Sequence, residues 1–109
     1  MPRASGLPED TFWMVVDEED GVPCVRLAGD FDLAAMSRLR TVLRPLLAAA
    51  EPGRVTIDLD AVELVETISA GFLAREQAAA HARGVGLELR GAAGIARRLL
   101  ALAGARLPA

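Results

Sequence analysis

One stretch, Val55 to Leu73 (VTIDLDAVELVETISAGFL), most narrows what this chain can fold into. Val55, Ile57 and Leu59, with Thr56 and Asp58 between them, alternate as a half-buried strand does, and Val62, Leu64 and Val65 carry the apolar character to a polar turn at Glu66-Thr67-Ile68-Ser69. From Ala70 onward, Phe72, Leu73 and a mixture of Ala, Gln, Arg and Glu favour helix. A strand that enters a helix through such a turn leaves the first helical N–H groups unpaired beside a side-chain hydroxyl. That place suits a cap or a phosphate.

The flanking segments extend this unit in both directions. Thr11 to Val16 (TFWMVV) and Val22 to Ala28 (VPCVRLA) are compact apolar runs on either side of the polar DEEDG, and they predict a hairpin closed by Gly29. Pro23 falls near the start of the second strand, where a missing donor is tolerated. Leu33, Met36, Leu39, Leu43, Leu46, Leu47 and Ala50 then recur at helical spacing behind Asp32, a natural N-cap. Pro45 inside this pattern predicts a kink or an early end near Arg44. After the central strand and turn, a helix is expected from about Ser69 to Arg83, stopped by Gly84. Val85 to Leu89 alternates as a strand, and Ile95, Leu99, Leu100 and Leu102 mark a last helix ending at Gly104. The order is β-β-α-β-α-β-α: a single α/β domain over residues 11–109, a sheet covered largely on one side by helices, behind a loose tail at residues 1–10.

Size and charge exclude several functions. A chain of 109 residues suits one domain with one core, and 52% hydrophobic against 25% charged residues is a globular balance. No apolar run nears the roughly 20 residues that span a bilayer, and MPRASGLPED has no signal-peptide core, so a cytoplasmic location is expected, without membrane insertion. The net charge of −3 argues against a nucleic-acid binder. The charge is uneven, with acids crowding residues 9–20 and Arg83, Arg90, Arg97, Arg98 and Arg106 near the end. Cys24 and His81 are each alone, which removes disulfide and zinc sites, and no cofactor is expected. Lysine is absent, and neither a phosphate loop nor a dinucleotide fingerprint occurs. With no nucleophile beside a base and no distinguished carboxylate pair, the chain does not read as an enzyme.

Four segments in order resemble a known family, the STAS domains, which include the bacterial anti-anti-sigma factors (anti-sigma factor antagonists). Val25 to Leu33 (VRLAGDFDL) is similar to the family's V-x-L-x-G-E-L/F-D segment, and Val55 to Val65 to its central strand. Arg83 to Leu89 and Ile95 to Leu100 resemble its last strand and the helix that finishes the domain. In the family the central strand is followed by D-S-S-G or D-S-T-G, whose first hydroxyl is phosphorylated by a partner kinase. An ungapped comparison puts Glu66 in place of the Asp, Thr67 in place of that hydroxyl, Ile68 in place of the next, and Ser69 in place of the Gly, before Ala70. A gapped placement on Ser69-Ala70-Gly71-Phe72 makes Ser69 the second candidate.

The resemblance implies a protein ligand that binds an anti-sigma factor serine/threonine kinase, frees a sigma factor, and is switched off by phosphorylation at Thr67. The implied partner surface is Asp30, Asp32, Glu66, Thr67, Ile68, Ser69 and Ala70. It also leaves open an unphosphorylated STAS scaffold or a small subunit of a larger signalling or lipid-transport assembly, and a STAS domain that senses a small ligand at the helix start. Each residue has a plainer reading: Thr67 and Ser69 as N-caps, Asp32 as a cap, His81 and Cys24 as structural, Phe12 and Trp13 as hairpin core or edge, and Arg97 and Arg98 as a solvated face.

Overall fold

The computed structural model describes residues 11–108; the tail expected over residues 1–10 lies outside them. Seven elements follow in the expected order: β1 (Phe12–Glu19), β2 (Val22–Phe31), α1 (Leu33–Ala49), β3 (Gly53–Val65), α2 (Thr67–Ala82), β4 (Val85–Arg90) and α3 (Gly94–Leu102). They build one four-stranded mixed sheet in the order β1-β2-β3-β4. The first pair is antiparallel, and β2–β3 and β3–β4 are parallel, each joined through a helix.

The hairpin turn is tighter than the polar run suggested. Only Asp20 and Gly21 leave the ladder, both with positive φ (52° and 80°), the backbone of a two-residue turn that matches strand twist. Asp17, Glu18 and Glu19 therefore belong to β1. The second strand also runs past its expected stop. Gly29 sits inside β2 at φ 91°, where a Cβ would lie 1.8 Å from the Thr11 carbonyl oxygen, so only glycine lets the strand continue to Asp30 and Phe31.

Helix α1 begins as expected, with Asp32 in extended backbone accepting a hydrogen bond from the Ala35 amide at 2.9 Å. The expected end near Arg44 does not occur. Pro45 is exposed in the last turns and removes one bond, to the Thr41 carbonyl, while Leu46 and Leu47 beyond it still pack on the core and hold the helix to Ala49. The start of the apolar stripe also differs: Leu33 is 53% exposed, and the buried face comprises Ala35, Met36, Leu39, Leu43 and Leu47.

The core lies between the helices and one face of the sheet. Val25, Leu27 and Phe31 of β2, Val55, Ile57 and Leu59 of β3, and Val85, Leu87 and Leu89 of β4 meet Leu39, Leu43, Phe72, Leu73 and Leu100 in one cluster. The alternate residues turn to the helix-free face, where Trp13 and Val15 of β1 are exposed and a set of ion pairs lies over the remaining strands. Arg90 pairs with Glu19 (2.9 Å) and Asp58 (3.4 Å), and Arg26 pairs with Glu19 and Asp17. Cys24, fully buried, and Thr56 lie in this layer, the thiol sulfur 3.7 Å from the Arg90 guanidinium. The hydrogen bond from Arg90 holds the Glu19 carboxyl below its ordinary value of 4.5, and burial pushes the Cys24 thiol up.

A carboxylate depressed on folding contributes stability that is present above its unfolded value and lost as pH falls through its folded one. Arg90→Ala is therefore expected to flatten the acid-side loss of stability below pH 4.5, read from urea midpoints. It is also expected to speed the labelling of native Cys24 by a thiol reagent, since the guanidinium above the sulfur is gone. A labelling rate equal to that of the wild type would show that Arg90 does not cover the thiol.

Candidate functional site

Parallel pairing brings two chain exits together. Asp30 lies in register with Leu64 and Phe31 with Val65, and the Glu66 amide donates the last bond of this edge to the Phe31 carbonyl at 3.3 Å. Both α1 and α2 therefore start at the same edge, the C-terminal edge of the parallel strands, where open α/β sheets commonly place their sites. The ladder has two register shifts here, each putting one more residue on β3 than on β2. The first includes Asp60, whose amide is taken by the Asp58 carboxylate at 2.9 Å and whose backbone passes within 3 Å of where a Gly91 Cβ would be.

The expected helix start at Ser69 is corrected to Thr67. Glu66 is the N-cap, in extended backbone with no side-chain capping bond, and its carbonyl accepts from the Ala70 amide at 2.9 Å. Because Glu66 is tied to Phe31, the chain leaves the sheet there and turns at once. Thr67, Ile68 and Ser69 are then the first three helical residues, so neither hydroxyl is an N-cap.

Their surroundings separate the two candidates. Thr67 is exposed at the first helical position, whereas Ser69 is 0% exposed and its hydroxyl oxygen has no hydrogen-bond partner. Ala70 is buried beside it, and Ile68 is 54% exposed. Of the acids, Asp32 is committed to capping α1, Asp30 is half-buried at the end of β2, and Glu66 is exposed. The structure thus gathers Asp30, Asp32, Glu66, Thr67 and Ile68 at one edge, and it places Ser69 and Ala70 beneath that surface.

Two residues not singled out from the sequence complete the edge. Leu33, the first residue of α1, and Leu64, beside Asp30, are 53% and 50% exposed. With Ile68 they make three exposed aliphatic side chains among Asp30, Asp32, Glu63 and Glu66, and residues 29–33 and 60–71 contain no basic residue. The usable signal was parity: Leu64 alternates with the core residue Val65, and Leu33 precedes the stripe of Ala35, Met36 and Leu39. Exposed aliphatic side chains set among charged ones are a composition that protein-docking surfaces share.

The remaining candidates take other places. Phe12 is core, its ring 6.0 Å from that of Phe31, and Trp13 is 59% exposed on the edge strand. His81 is exposed on α2. Arg97 donates to the Pro108 carbonyl at 2.6 Å, and Arg98 is exposed. Among the described residues no group of three or more His, Cys, Asp or Glu could hold a metal ion, and no helix is long and apolar enough to cross a membrane.

Residues 14–106 match the family described as "Mlab, STAS domain", and the chain belongs to the STAS domain family. An anti-sigma factor antagonist from Mycobacterium paratuberculosis is 28% identical in sequence and superposes with a TM-score of 0.66, over 90% of this chain and 86% of that one. The anti-sigma factor antagonist SpoIIAA in its unphosphorylated form shares the fold at 11% identity, with a TM-score of 0.71 over 89% of each chain. The murine anion transporter Slc26a9 in its inward-facing state contains a similar portion, with 17% identity and a TM-score of 0.64, covering 81% of this chain and 14% of the transporter. No curated protein matches the chain in sequence.

The buried Ser69 hydroxyl carries a stability cost, since a polar group withdrawn from water without a partner loses about 1–3 kcal/mol. Ser69→Ala, which keeps the Cβ, is expected to raise unfolding stability by about 1 kcal/mol in urea denaturation. A loss of stability of similar size would mean that the hydroxyl is satisfied in solution.

Proposed function

We propose that this STAS domain is an anti-sigma factor antagonist. Acting in the cytoplasm, it binds an anti-sigma factor serine/threonine kinase through the edge formed by Asp30, Asp32, Leu33, Leu64, Glu66, Thr67 and Ile68, frees a sigma factor, and is switched off when Thr67 is phosphorylated. It is a ligand for another protein and performs no catalysis of its own. The observation that carries the reading is the exposed Thr67 hydroxyl at the start of α2, next to the exposed Ile68 and at the sheet edge where β2 and β3 end, with the competing Ser69 hydroxyl buried.

The physics of the switch follows from that position. A phosphothreonine carries about −1.5 to −2 charge at neutral pH, and a helix N-terminus favours an anion, so the domain itself tolerates the group. The cost falls on the complex. Close to Asp30, Asp32 and Glu66, a doubly charged group must be desolvated within an interface built around a neutral hydroxyl. Weakening binding a hundredfold takes only about 2.8 kcal/mol.

A second reading is an unphosphorylated STAS scaffold or subunit of a larger assembly. What favours it is the turn itself, where Ser69 fills with a buried side chain the position the family resemblance gives to glycine, and the occurrence of a similar fold as 14% of a transporter chain. One set of variants divides the readings. Kinase and ATP should place phosphate on Thr67, mapped by mass spectrometry. Thr67→Glu should lose partner binding in a pull-down while Thr67→Ala keeps it, and equal binding by wild type and both variants would select the scaffold. Phosphate on neither Thr67 nor Ser69 would remove the switch. Independently of phosphorylation, Ile68→Ala is expected to weaken the complex about tenfold, as loss of a central apolar anchor does, measured by calorimetry.

A further inference from the structure

We propose a second site, a groove at the other end of β3, that binds a small amphiphilic anion: a carboxylate or phosphate monoester on an apolar body. The groove has a volume of about 630 Å³ and lies between α2, the outer strand β4 and the C-terminal segment 104–108. That volume falls within the roughly 300–1,000 Å³ of small-molecule sites. Its apolar lining comes from Ala74 and Ala78 of α2, Leu87 of β4 and Leu107 of the terminal segment. Arg54, His81 and Arg106 also line it, and all three are exposed.

Two features make this a built site. The first is its outer wall, which is held by a side chain far away in sequence. Gln77 donates to the Leu87 and Arg106 carbonyls, both at 2.9 Å, and accepts from the Arg106 amide at 2.7 Å, so its amide stands between β4 and the terminal segment as a rung would. Arg97 fixes the far end through the Pro108 carbonyl. The groove is therefore pre-formed, which lowers the ordering cost of binding.

The second feature is charge. Among the described residues, Arg54, His81 and Arg106 have no acidic partner within ion-pair distance, as is also true of Arg38, Arg40, Arg75, Arg97 and Arg98; what sets the groove apart is that three basic side chains line it together. Among the described residues, Glu88 is the one acid lining the groove. Arg54 lines the groove from the neighbouring strand beside Gly86, its register partner, where a Cβ would lie 3.7 Å from the Arg54 stem. Two guanidinium groups and an imidazole beside an aliphatic floor suit a ligand with an anionic head and a short apolar tail.

The test is an amide NMR titration of the full chain with octanoate, octyl phosphate, n-octanol and inorganic phosphate. Saturable shifts of Ala78, Gly86 and Leu87 with the two amphiphilic anions, and none with n-octanol or inorganic phosphate, are expected; the tighter of the two anions assigns the head group. The double variant Arg54→Ala, Arg106→Ala should bind at least about tenfold more weakly with the rest of its spectrum unchanged, the loss expected when a charge-assisted contact is removed. Equal binding of n-octanol, binding of inorganic phosphate alone, shifts centred on Thr67, or no saturable shift would each overturn the proposal. Antagonist activity at the Thr67 edge does not enter any of these readouts.

Discussion

Parallel pairing of β2 with β3 forces both strands to end at the same edge, and so it forces α1 and α2 to begin there. Everything proposed for the acidic edge depends on that register. Asp30 meets Leu64, Phe31 meets Val65, and the Glu66 amide closes the ladder on the Phe31 carbonyl. A one-residue slip would carry Val65 out of the core and turn Leu64 in, because side chains alternate along a strand. Glycine protects the arrangement at two points: Gly29 lets β2 pass Thr11, and Gly91 leaves room for the bulged backbone at Asp60.

The two faces of the sheet are stabilised by different means. On the helix side, fully buried aliphatic residues of β2, β3 and β4 pack against all three helices, and removal of apolar surface from water supplies the dominant favourable term. On the other side, among the described residues, no helix covers the strands, and a lattice of Asp17, Glu19, Arg26, Asp58 and Arg90 shields Cys24 and Thr56. Arg90 links β4 to β1 across the two strands between them, through Glu19. Partly exposed pairs of this kind add little individually, and a connected set of them serves mainly to fix geometry. Here it ties the hairpin to the strand at the opposite edge.

What could be read from the chain follows how local each determinant is. The strand at Val55, Ile57 and Leu59 and the cap at Asp32 are set by neighbours within four residues, and both are visible as pattern. The start of α2 is different: it depends on the bond between Glu66 and Phe31, thirty-five positions apart in sequence, so the Thr/Ser turn pointed to Ser69 when the helix begins at Thr67. Pro45 misled for a related reason, since Leu46 and Leu47 find tertiary contacts that outweigh one lost backbone bond. The acids of DEEDG looked like loop because their arginine partners lie on β2 and β4. The residues that family resemblance singles out lie where the two parallel strands end, yet which hydroxyl is reachable, and the exposure of Leu33 and Leu64, emerge only when both ladders are assembled.

Asp17 and Glu19 of β1 meet arginines of β2 and β4, whereas the acids of the edge are gathered by the fold without arginine partners among the described residues. Asp30, Asp32, Glu63 and Glu66 gather where α1 and α2 present their N-termini, and the partial positive charge of two helix ends offsets repulsion among these carboxylates. At the other end of the sheet, Arg54 opens β3 and Arg83 follows the last turn of α2, whose C-terminal carbonyls favour cations. In the proposed complex, the carboxylates at the acidic edge favour a partner with a basic face. In the proposed switch, phosphate at Thr67 would add to the negative charge of these carboxylates, and would act on the approach of a partner as well as on the fit of the complex. That makes the effect dependent on ionic strength, because salt screens the long-range part within about 10 Å and leaves the desolvation cost in the interface intact.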